Sequence, residues 1–431
     1  MHAQNGYELT FEIKNYDSSE MILAYHLGDK QFINDTLKAA KPGLFLATGD
    51  EELDPGMYIA FFPSLRKSFE FLVNKEEQHF KLSTDSNNFV SNMQVENSFE
   101  NKLYFDYLQF LEQKREEENK ENVDKEVDAY QKNIISEYSN SFTAAIIKSS
   151  RNITVPENEK QGKDKGFYYY KEHFFDNLNF ADERLLRTPI IYSKIDLYIS
   201  DRLTIQHPDS VIVAVDKVLK LLEVNQEMFK YFVIRLVNKY AKSNTVCMDA
   251  VYVHLVDNYY LNGKTPWIDK EQLKKMQEDA NDLRPFLCGK VAPNVEMQNF
   301  KVPAEPVSIH DTNSKYTVLY IWDLDCDYCK ESVPELVKFK DNHKDDDVRV
   351  ITISTSTHNE FDETKKIIEE YNMSRLINLI DPYNRSNFSE EYHIKSTPQV
   401  FVLDENKKII SKRIGTNQLE ELFDKLLKND K

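Results

Sequence analysis

The 431-residue chain has little glycine and cysteine and no long apolar run. Its 10 glycines fall well below the usual share of about 7%, and neither GxGxxG nor GxxxxGKS/T occurs, which argues against a glycine-rich phosphate-binding loop. Four cysteines are too few for a scaffold built on many disulfides. No stretch approaches the roughly 18 apolar residues that a membrane span needs. No apolar leader core follows Met1, so "MHAQNGYE" fits either the stub of a removed leader or a natural start.

The charge of the chain restricts its partners. The formal net charge is −17, and a surface this acidic repels nucleic-acid phosphates and anionic lipids. We therefore predict no nucleic-acid partner, and the lack of a long apolar run predicts no membrane span. The ten histidines are scattered without metal-ligand spacing, so no metal is predicted. The length is too great for one core and indicates a multidomain protein.

Residues 1–95 are predicted to form an antiparallel, all-β, sandwich-like domain. Apolar and polar residues alternate in short runs that are separated by turn signals such as "DPG". The predicted strands are "YELTFEIK", "MILAYHL", "LFLAT", "MYIAFF", "FEFLV" and "HFKLST".

Residues 96–285 are predicted to form an all-α domain, because the apolar spacing changes to the helical period near residue 97. The charged run at 114–126 indicates a solvated helix surface or an exposed turn between helices. Further helices are predicted at 191–204, 210–224, 226–243, 248–263 and 269–283.

Residues 286–431 are predicted to form an α/β domain with a mixed sheet. Buried strands at 316–322 and 348–355 alternate with helices, and a strand–turn–strand unit at 396–415 precedes a closing amphipathic helix.

Cys326 and Cys329 stand three residues apart, between a predicted strand and a predicted helix. A sulfur at a helix N-terminus is favoured as a thiolate, so Cys326 can act as a nucleophile and Cys329 as the resolving thiol. A structural zinc site remains open but would need further ligands, and a chance pair is a second alternative. Cys247 and Cys288 lie far from this pair and are interpreted as separate buried apolar residues.

Residues 286–431 resemble the thioredoxin superfamily, in particular its envelope-type TlpA-like or AhpC/TSA-like branch. The entry "GKVAPNVEM", the segment "YIWDLDCDYCK" with Trp322, the helix residue Pro334 and the loop "STPQVFVLD" with Thr397 and Pro398 match that branch in order. The resemblance implies a thioredoxin-like fold and a thiol–disulfide oxidoreductase. Its catalytic residues would be Cys326 and Cys329.

The same resemblance implies that Trp322, Thr397 and cis-Pro398 bind the substrate. The partners implied are protein disulfides and an upstream thiol donor, with the Cys326–Cys329 disulfide in place of a cofactor. Residues 1–95 and 96–285 are similar to uncharacterised domains that precede such modules in bacterial envelope proteins. That similarity implies the periplasm or cell envelope, and the cytoplasm is the alternative. The oligomeric state is left open.

Several residues around the cysteines depart from the family pattern. Asp323, Asp325 and Asp327 crowd Cys326 with negative charge, which disfavours a thiolate and predicts a reducing or exchanging enzyme rather than a strong oxidase. Tyr320 stands where thioredoxin keeps a buried acid. The proton acceptor for Cys329 is therefore left unassigned, and Glu331 and Glu335 are candidates through sequence proximity alone.

Two other functions are considered. A peroxiredoxin-like peroxide reductase needs PxxxTxxC, whereas positions 319 and 323 are Leu and Asp. A non-catalytic envelope binding protein would carry the thioredoxin module only as a retained scaffold.

Overall fold

The computed structural model describes residues 6–115, 117, 120–162, 164–302 and 305–429. Two compact units divide the chain. The first comprises residues 1–206 and 213–232, and the second comprises residues 207–212 and 233–431. The predicted domain boundaries at 95/96 and 285/286 stay predictions. Among the described residues, no helix combines the length and the apolarity needed to cross a membrane.

The N-terminal region contains two four-stranded sheets, which confirms the predicted β fold. The strands are β1 Tyr7–Lys14, β2 Glu20–Leu27, β3 Lys30–Lys38, β4 Leu44–Gly49, β5 Gly56–Phe62, β6 Lys67–Val73, β7 His79–Asp85 and β8 Gln94–Glu96. One sheet has the order β4-β1-β7-β8 and the other β3-β2-β5-β6. Phe11 of β1 and Phe71 of β6 meet edge-to-face, with ring centroids 5.3 Å apart, so the two sheets share an aromatic core.

Two details of this region differ from the sequence prediction. Strands β1 and β7 pair in parallel, so the expectation of a purely antiparallel domain is wrong at that pair. The short strand β8 was not predicted, and neither was β3. Eight of its nine residues are exposed, as an edge strand allows, so burial imposes no period-two pattern on its sequence.

Helices follow in the central region, as predicted. They are α1 Phe99–Arg115, α2 Lys120–Glu137, α3 Phe142–Ser150, α4 Lys165–His173, α5 Pro189–Ile199, α6 Pro208–Leu222, α7 Gln226–Ala241, α8 Asp249–Leu255 and α9 Lys270–Leu283. A π-helical turn, Val256–Tyr260, extends α8. Buried polar groups fix the first helices. The Glu100 carboxylate accepts from the backbone N–H groups of Phe142, at 2.7 Å, and Thr143, at 3.0 Å, and so holds the start of α3 against α1.

The C-terminal region has the predicted mixed sheet with helices. Its elements are β9 Glu296–Asn299, β10 Val307–Ser308, β11 Tyr316–Trp322, α10 Asp327–Asn342, β12 Val348–Ser354, α11 Phe361–Glu370, β13 Ile377–Ile380, α12 Phe388–Glu391, β14 Gln399–Leu403, β15 Ile409–Lys412 and α13 Leu419–Asn429. The seven-stranded sheet has the order β10-β9-β13-β12-β11-β14-β15.

Strand β11 lies in the interior of this sheet. It pairs in parallel with β12 and antiparallel with β14, and all seven of its residues are buried. Alternate residues enter separate cores on the two faces: Val318, Tyr320 and Trp322 on one, Leu319 and Ile321 on the other. A strand buried on both faces is mostly apolar, which accounts for "YTVLYIW" and fixes where the chain leaves the sheet toward Cys326.

Candidate active site

The loop after β11 presents Cys326 at the start of α10. The Asp323 carboxylate accepts a hydrogen bond from the backbone N–H of Asp325 at 2.9 Å, which turns the chain out of the strand. Cys326 is the N-cap residue of α10, with extended backbone angles, and its sulfur accepts from the backbone N–H of Cys329 at 3.1 Å. The sulfur therefore occupies the position where an N-cap oxygen normally satisfies a free helix N–H group.

The two cysteines are disulfide-bonded, with Cα atoms 5.2 Å apart. Cys326 is half-buried, whereas the Cys329 side chain lies in the core and is 0% exposed. Only the first sulfur can therefore meet a partner, while the second is positioned to attack its neighbour. The roles of both cysteines in catalysis stay predictions.

A cis-proline lies at the same end of the sheet. The Thr397–Pro398 peptide bond is cis, and β14 begins at the next residue, Gln399. Gln399 pairs with Ile321, and the same antiparallel register continued by one residue sets Pro398 opposite Trp322. Sheet topology therefore brings the proline loop to the strand end that leads to the cysteines.

Trp322, Thr397 and Pro398 differ in accessibility. The Trp322 side chain is 1% exposed and packs in the core beside Cys329, whereas Thr397 and Pro398 are half-buried. In this state only the loop residues offer surface to a partner. The substrate-binding role of all three residues stays a prediction.

Tyr320 replaces the buried acid near Cys329 with a neutral hydroxyl. It donates to the Cys329 carbonyl oxygen at 2.9 Å and lies 2.7 Å from the Ser332 hydroxyl. Burial raises the pKa of Tyr320 to about 12, so this group stays protonated at neutral pH. Glu331 is exposed, and Glu335 accepts a hydrogen bond from Thr416 at 3.1 Å, so neither carboxylate is buried beside the resolving sulfur.

The three acidic residues around Cys326 differ in their surroundings. Asp323 accepts a short hydrogen bond from the Thr355 hydroxyl, while Asp325 and Asp327 are exposed. Asp327 lies in the first turn of α10, where a negative charge stabilises the helix but opposes a neighbouring thiolate.

Sequence reasoning missed a second disulfide and the ion pair beside it. Cys247 and Cys288 are bonded, with Cα atoms 5.6 Å apart, so interpreting them as separate buried apolar residues is wrong. Both are half-buried. Lys412 of β15 pairs with Asp249 of α8 through a short contact, and their side chains are 3% and 13% exposed. A signal was available, because two further cysteines in a protein expected in an oxidising compartment are candidates for pairing.

The described residues hold no group of three or more His, Cys, Asp or Glu side chains that could bind a metal ion. The absence of a metal or separate cofactor stays a prediction.

The fold and the cysteine loop define a class of protein. A mixed sheet with helices, a Cys-x-x-Cys at the start of α10 and a cis-proline opposite the end of β11 are the features of thioredoxin-like thiol–disulfide oxidoreductases. The C-terminal region is a domain of this class.

Comparisons with known proteins agree with that assignment. Residues 288–412 match the AhpC/TSA family, and residues 110–284 match a domain of unknown function, DUF5106. Sporulation thiol-disulfide oxidoreductase A of Bacillus subtilis is 27% identical over 122 residues, which cover 28% of this chain and 72% of that protein. Thioredoxin-like protein YneN, also of Bacillus subtilis, is 25% identical over 138 residues, covering 32% and 78%.

A solved thioredoxin-like protein from Bacteroides caccae covers 63% of this chain and 96% of its own, with 19% identity and a TM-score of 0.48. The family match over residues 288–412 identifies an AhpC/TSA-type, thioredoxin-like domain, and the preceding match over residues 110–284 is to a domain of unknown function.

Proposed function

We propose that the chain reduces or exchanges protein disulfides through a dithiol formed by Cys326 and Cys329. The observation that carries this proposal is the contrast between the half-buried Cys326 sulfur at the tip of α10 and the fully buried Cys329. This arrangement exposes one nucleophile to a partner and keeps the resolving thiol out of reach of other reagents.

The reaction balances within the dithiol and the client disulfide. The Cys326 thiolate attacks one client sulfur, the client S–S bond breaks, and the second client sulfur leaves as a thiolate that takes a proton from water. Cys329 then attacks the Cys326 sulfur and releases the first client sulfur as a thiol. Two electrons pass to the client, the enzyme pair becomes a disulfide, and an upstream thiol donor must reduce it again.

The acidic surroundings of Cys326 support the direction of electron transfer that we propose, from the dithiol to the client disulfide. Negative charge at Asp325 and Asp327 raises the free energy of the thiolate, so the dithiol gives up its electrons more readily than in a strong oxidase. We expect a potential nearer to thioredoxin's value of about −270 mV than to DsbA's of about −120 mV. Equilibration with glutathione and quantitative alkylation measure it, and a value near the DsbA figure contradicts the assignment.

Insulin reduction tests the activity itself. The reduced full chain should cleave insulin disulfides with dithiothreitol as donor, and Cys329→Ser should accumulate a mixed disulfide between Cys326 and an insulin chain. The double variant Cys326→Ser/Cys329→Ser is the matched control and should trap nothing. Absence of both turnover and trapping would contradict the proposal. Rapid peroxide consumption instead would favour the peroxide reductase.

We further propose that the protein works in an oxidising compartment, the periplasm or cell envelope. The Cys247–Cys288 disulfide supports this location, because disulfides outside a redox motif rarely persist in a reducing cytosol. Acid-quenched cells treated with a thiol-reactive mass tag should show Cys247 and Cys288 blocked in a Cys326→Ala/Cys329→Ala background. Free thiols at both positions would favour the cytoplasm.

A further inference from the structure

Two adjoining cavities lie in the second compact unit, and the first of them borders the cis-proline loop. The first, of about 670 Å³, is lined by residues of α7 and α9 and by Pro398, Gln399 and Gly415. The second, of about 430 Å³, lies among the helices and is lined by aromatic residues that include Tyr260 and Trp267. Together the two cavities extend from the loop of Pro398 to helices α7 and α9.

The cavities form one groove because they share three lining residues, Ala241, Tyr252 and Asp279. The Tyr252 side chain is 6% exposed and gives the groove a fixed aromatic wall. Asp279 of α9 is exposed and lies where the cavities meet. A groove that joins aromatic walls to a few charged groups suits a polypeptide segment better than a compact polar ligand.

The charges along the groove are ordered. Of the three carboxylates that line the first cavity, Asp249 is paired with Lys412, and Asp282 with Lys395 at 2.6 Å. Asp279 is the third, and it makes no salt bridge within the described part of the chain. Asp279 at the shared middle of the groove is therefore not engaged in a salt bridge, while Lys395 of the first cavity interacts with its charge and Lys275 lines the second cavity one turn away.

Arg413 supplies the opposite charge at the proline end. It lines the first cavity, is exposed, and makes no salt bridge to any residue that the structure describes. Its backbone N–H donates to the Val400 carbonyl oxygen at 3.0 Å, two residues beyond Pro398, which places this arginine near the start of β14. Moving away from the proline loop, a ligand meets a positive group first and a negative group next.

We propose that this groove binds an extended segment of the client polypeptide that carries an acidic residue close to its reactive cysteine and a basic residue farther along. Arg413 receives the acidic residue, and Asp279 receives the basic one, while aromatic residues of the second cavity pack against the following side chains. The inference rests on the proposed function, since it assigns the helical segment a part in choosing clients for Cys326.

Two peptides of identical composition test the order of charges. Cys-Gly-Glu-Tyr-Ala-Lys and Cys-Gly-Lys-Tyr-Ala-Glu, each as a mixed disulfide with glutathione, are offered to the pre-reduced full chain. Release of free peptide is followed by chromatography in a single turnover, so no donor is needed. The peptide with glutamate nearer the cysteine should be released about fivefold faster, the effect of two modest surface ion pairs, and about 1 M salt should remove the difference.

Charge-reversal variants identify the residues. Asp279→Arg/Arg413→Glu should invert the preference, whereas Glu278→Arg, which reverses a neighbouring exposed charge outside both cavities, should keep it. The ratio of the two rates within one preparation is the readout, so a partly misfolded variant does not disturb it.

The outcomes separate the two proposals. If the wild-type chain reduces neither peptide nor hydroxyethyl disulfide, the proposed function fails. If it reduces both peptides at equal rates, or if Asp279→Arg/Arg413→Glu leaves the preference as it was, the groove does not read a client segment in this order and the inference is overturned.

Discussion

The two disulfides of the second compact unit are built in different ways. Cys326 and Cys329 are three positions apart in the sequence, and a single helix start holds both. Cys247 and Cys288 are 41 residues apart, and the chain between them contains α8, the π-helical turn and α9. The close pair encloses almost no chain, while the distant pair closes a long loop.

This difference separates chemistry from stability. A disulfide that closes a long loop removes much freedom from the unfolded chain and so stabilises the fold, whereas one that closes a short loop removes little. In the close pair, the Cys326 sulfur caps the N-terminus of the long helix α10, and the distant pair has no such position. We therefore expect the close pair to determine activity and the distant pair to contribute more to stability.

Activity should distinguish the pairs most strongly. Cys326→Ser should lower insulin reduction by about 1000-fold or more, because a serine hydroxyl does not form an anion at neutral pH and cannot carry the exchange. Cys247→Ala/Cys288→Ala should keep at least about half of the activity at 25 °C. A large activity loss in that double variant with the fold intact would show that the distant pair also exchanges.

The distant disulfide should contribute more to the free energy of unfolding than the close one. Chain-entropy arguments give about 4 kcal/mol for a loop of 41 residues and about 1.5 kcal/mol for a loop of three. In guanidinium unfolding of the oxidised protein, Cys247→Ala/Cys288→Ala should therefore lose more free energy of unfolding than Cys326→Ala/Cys329→Ala. Equal losses would mean that the long loop is already constrained in the unfolded state.

The Lys412–Asp249 ion pair, next to the distant disulfide, should make the next largest contribution to the free energy of unfolding. Asp249→Asn leaves Lys412 buried beside a neutral amide, and loss of one partner of a buried pair costs about 3 kcal/mol. Burial already lowers the pKa of Lys412 in the folded protein, and without the carboxylate that pKa falls further.

The loss of stability in Asp249→Asn should depend on pH in one direction. A lysine whose folded pKa lies below its unfolded value opposes folding at neutral pH, and the penalty fades as pH rises toward the unfolded pKa of about 10.4. The stability gap between Asp249→Asn and wild type should therefore be smaller at pH 9.5 than at pH 7. Lys412→Met in the Asp249→Asn background should restore part of the stability at pH 7. A gap that is the same at both pH values would show that Lys412 reaches solvent.

The contrast between the pairs also explains what the sequence could reveal. The close pair and the helix that it caps were predictable because local rules specify them: a strand buried on both faces and a cysteine at a helix start. The cis-proline loop was expected only because "STPQVFVLD" resembles the corresponding loop of the thioredoxin family. The core role of β11 followed from "YTVLYIW" alone.

Other features depend on contacts that are distant in sequence. The pairing of Cys247 with Cys288 needs two loops 41 residues apart to meet, and no spacing rule signals that. The parallel pairing of β1 with β7 depends on strand order, and the exposed strand β3 has no buried face to pattern its residues. The groove charges at Asp279 and Arg413 come together only in the folded chain.

Tyr320 should provide the smallest but most local test at the close pair. Tyr320→Phe removes the hydroxyl that contacts the Cys329 carbonyl and Ser332, and a buried hydrogen bond is worth about 1 kcal/mol. Because burial raises the folded pKa of Tyr320 to about 12 from the ordinary value of about 10, its protonated form is stabilised by folding. That contribution is complete below pH 10 and is lost as pH rises through about 12, so the difference in free energy of unfolding between wild type and Tyr320→Phe should narrow at pH 11.

Tyr328→Phe, at an exposed position beside Cys329, is the matched control and should change neither stability nor its pH dependence. If both phenylalanine variants behave alike, the Tyr320 hydroxyl does not anchor the resolving cysteine.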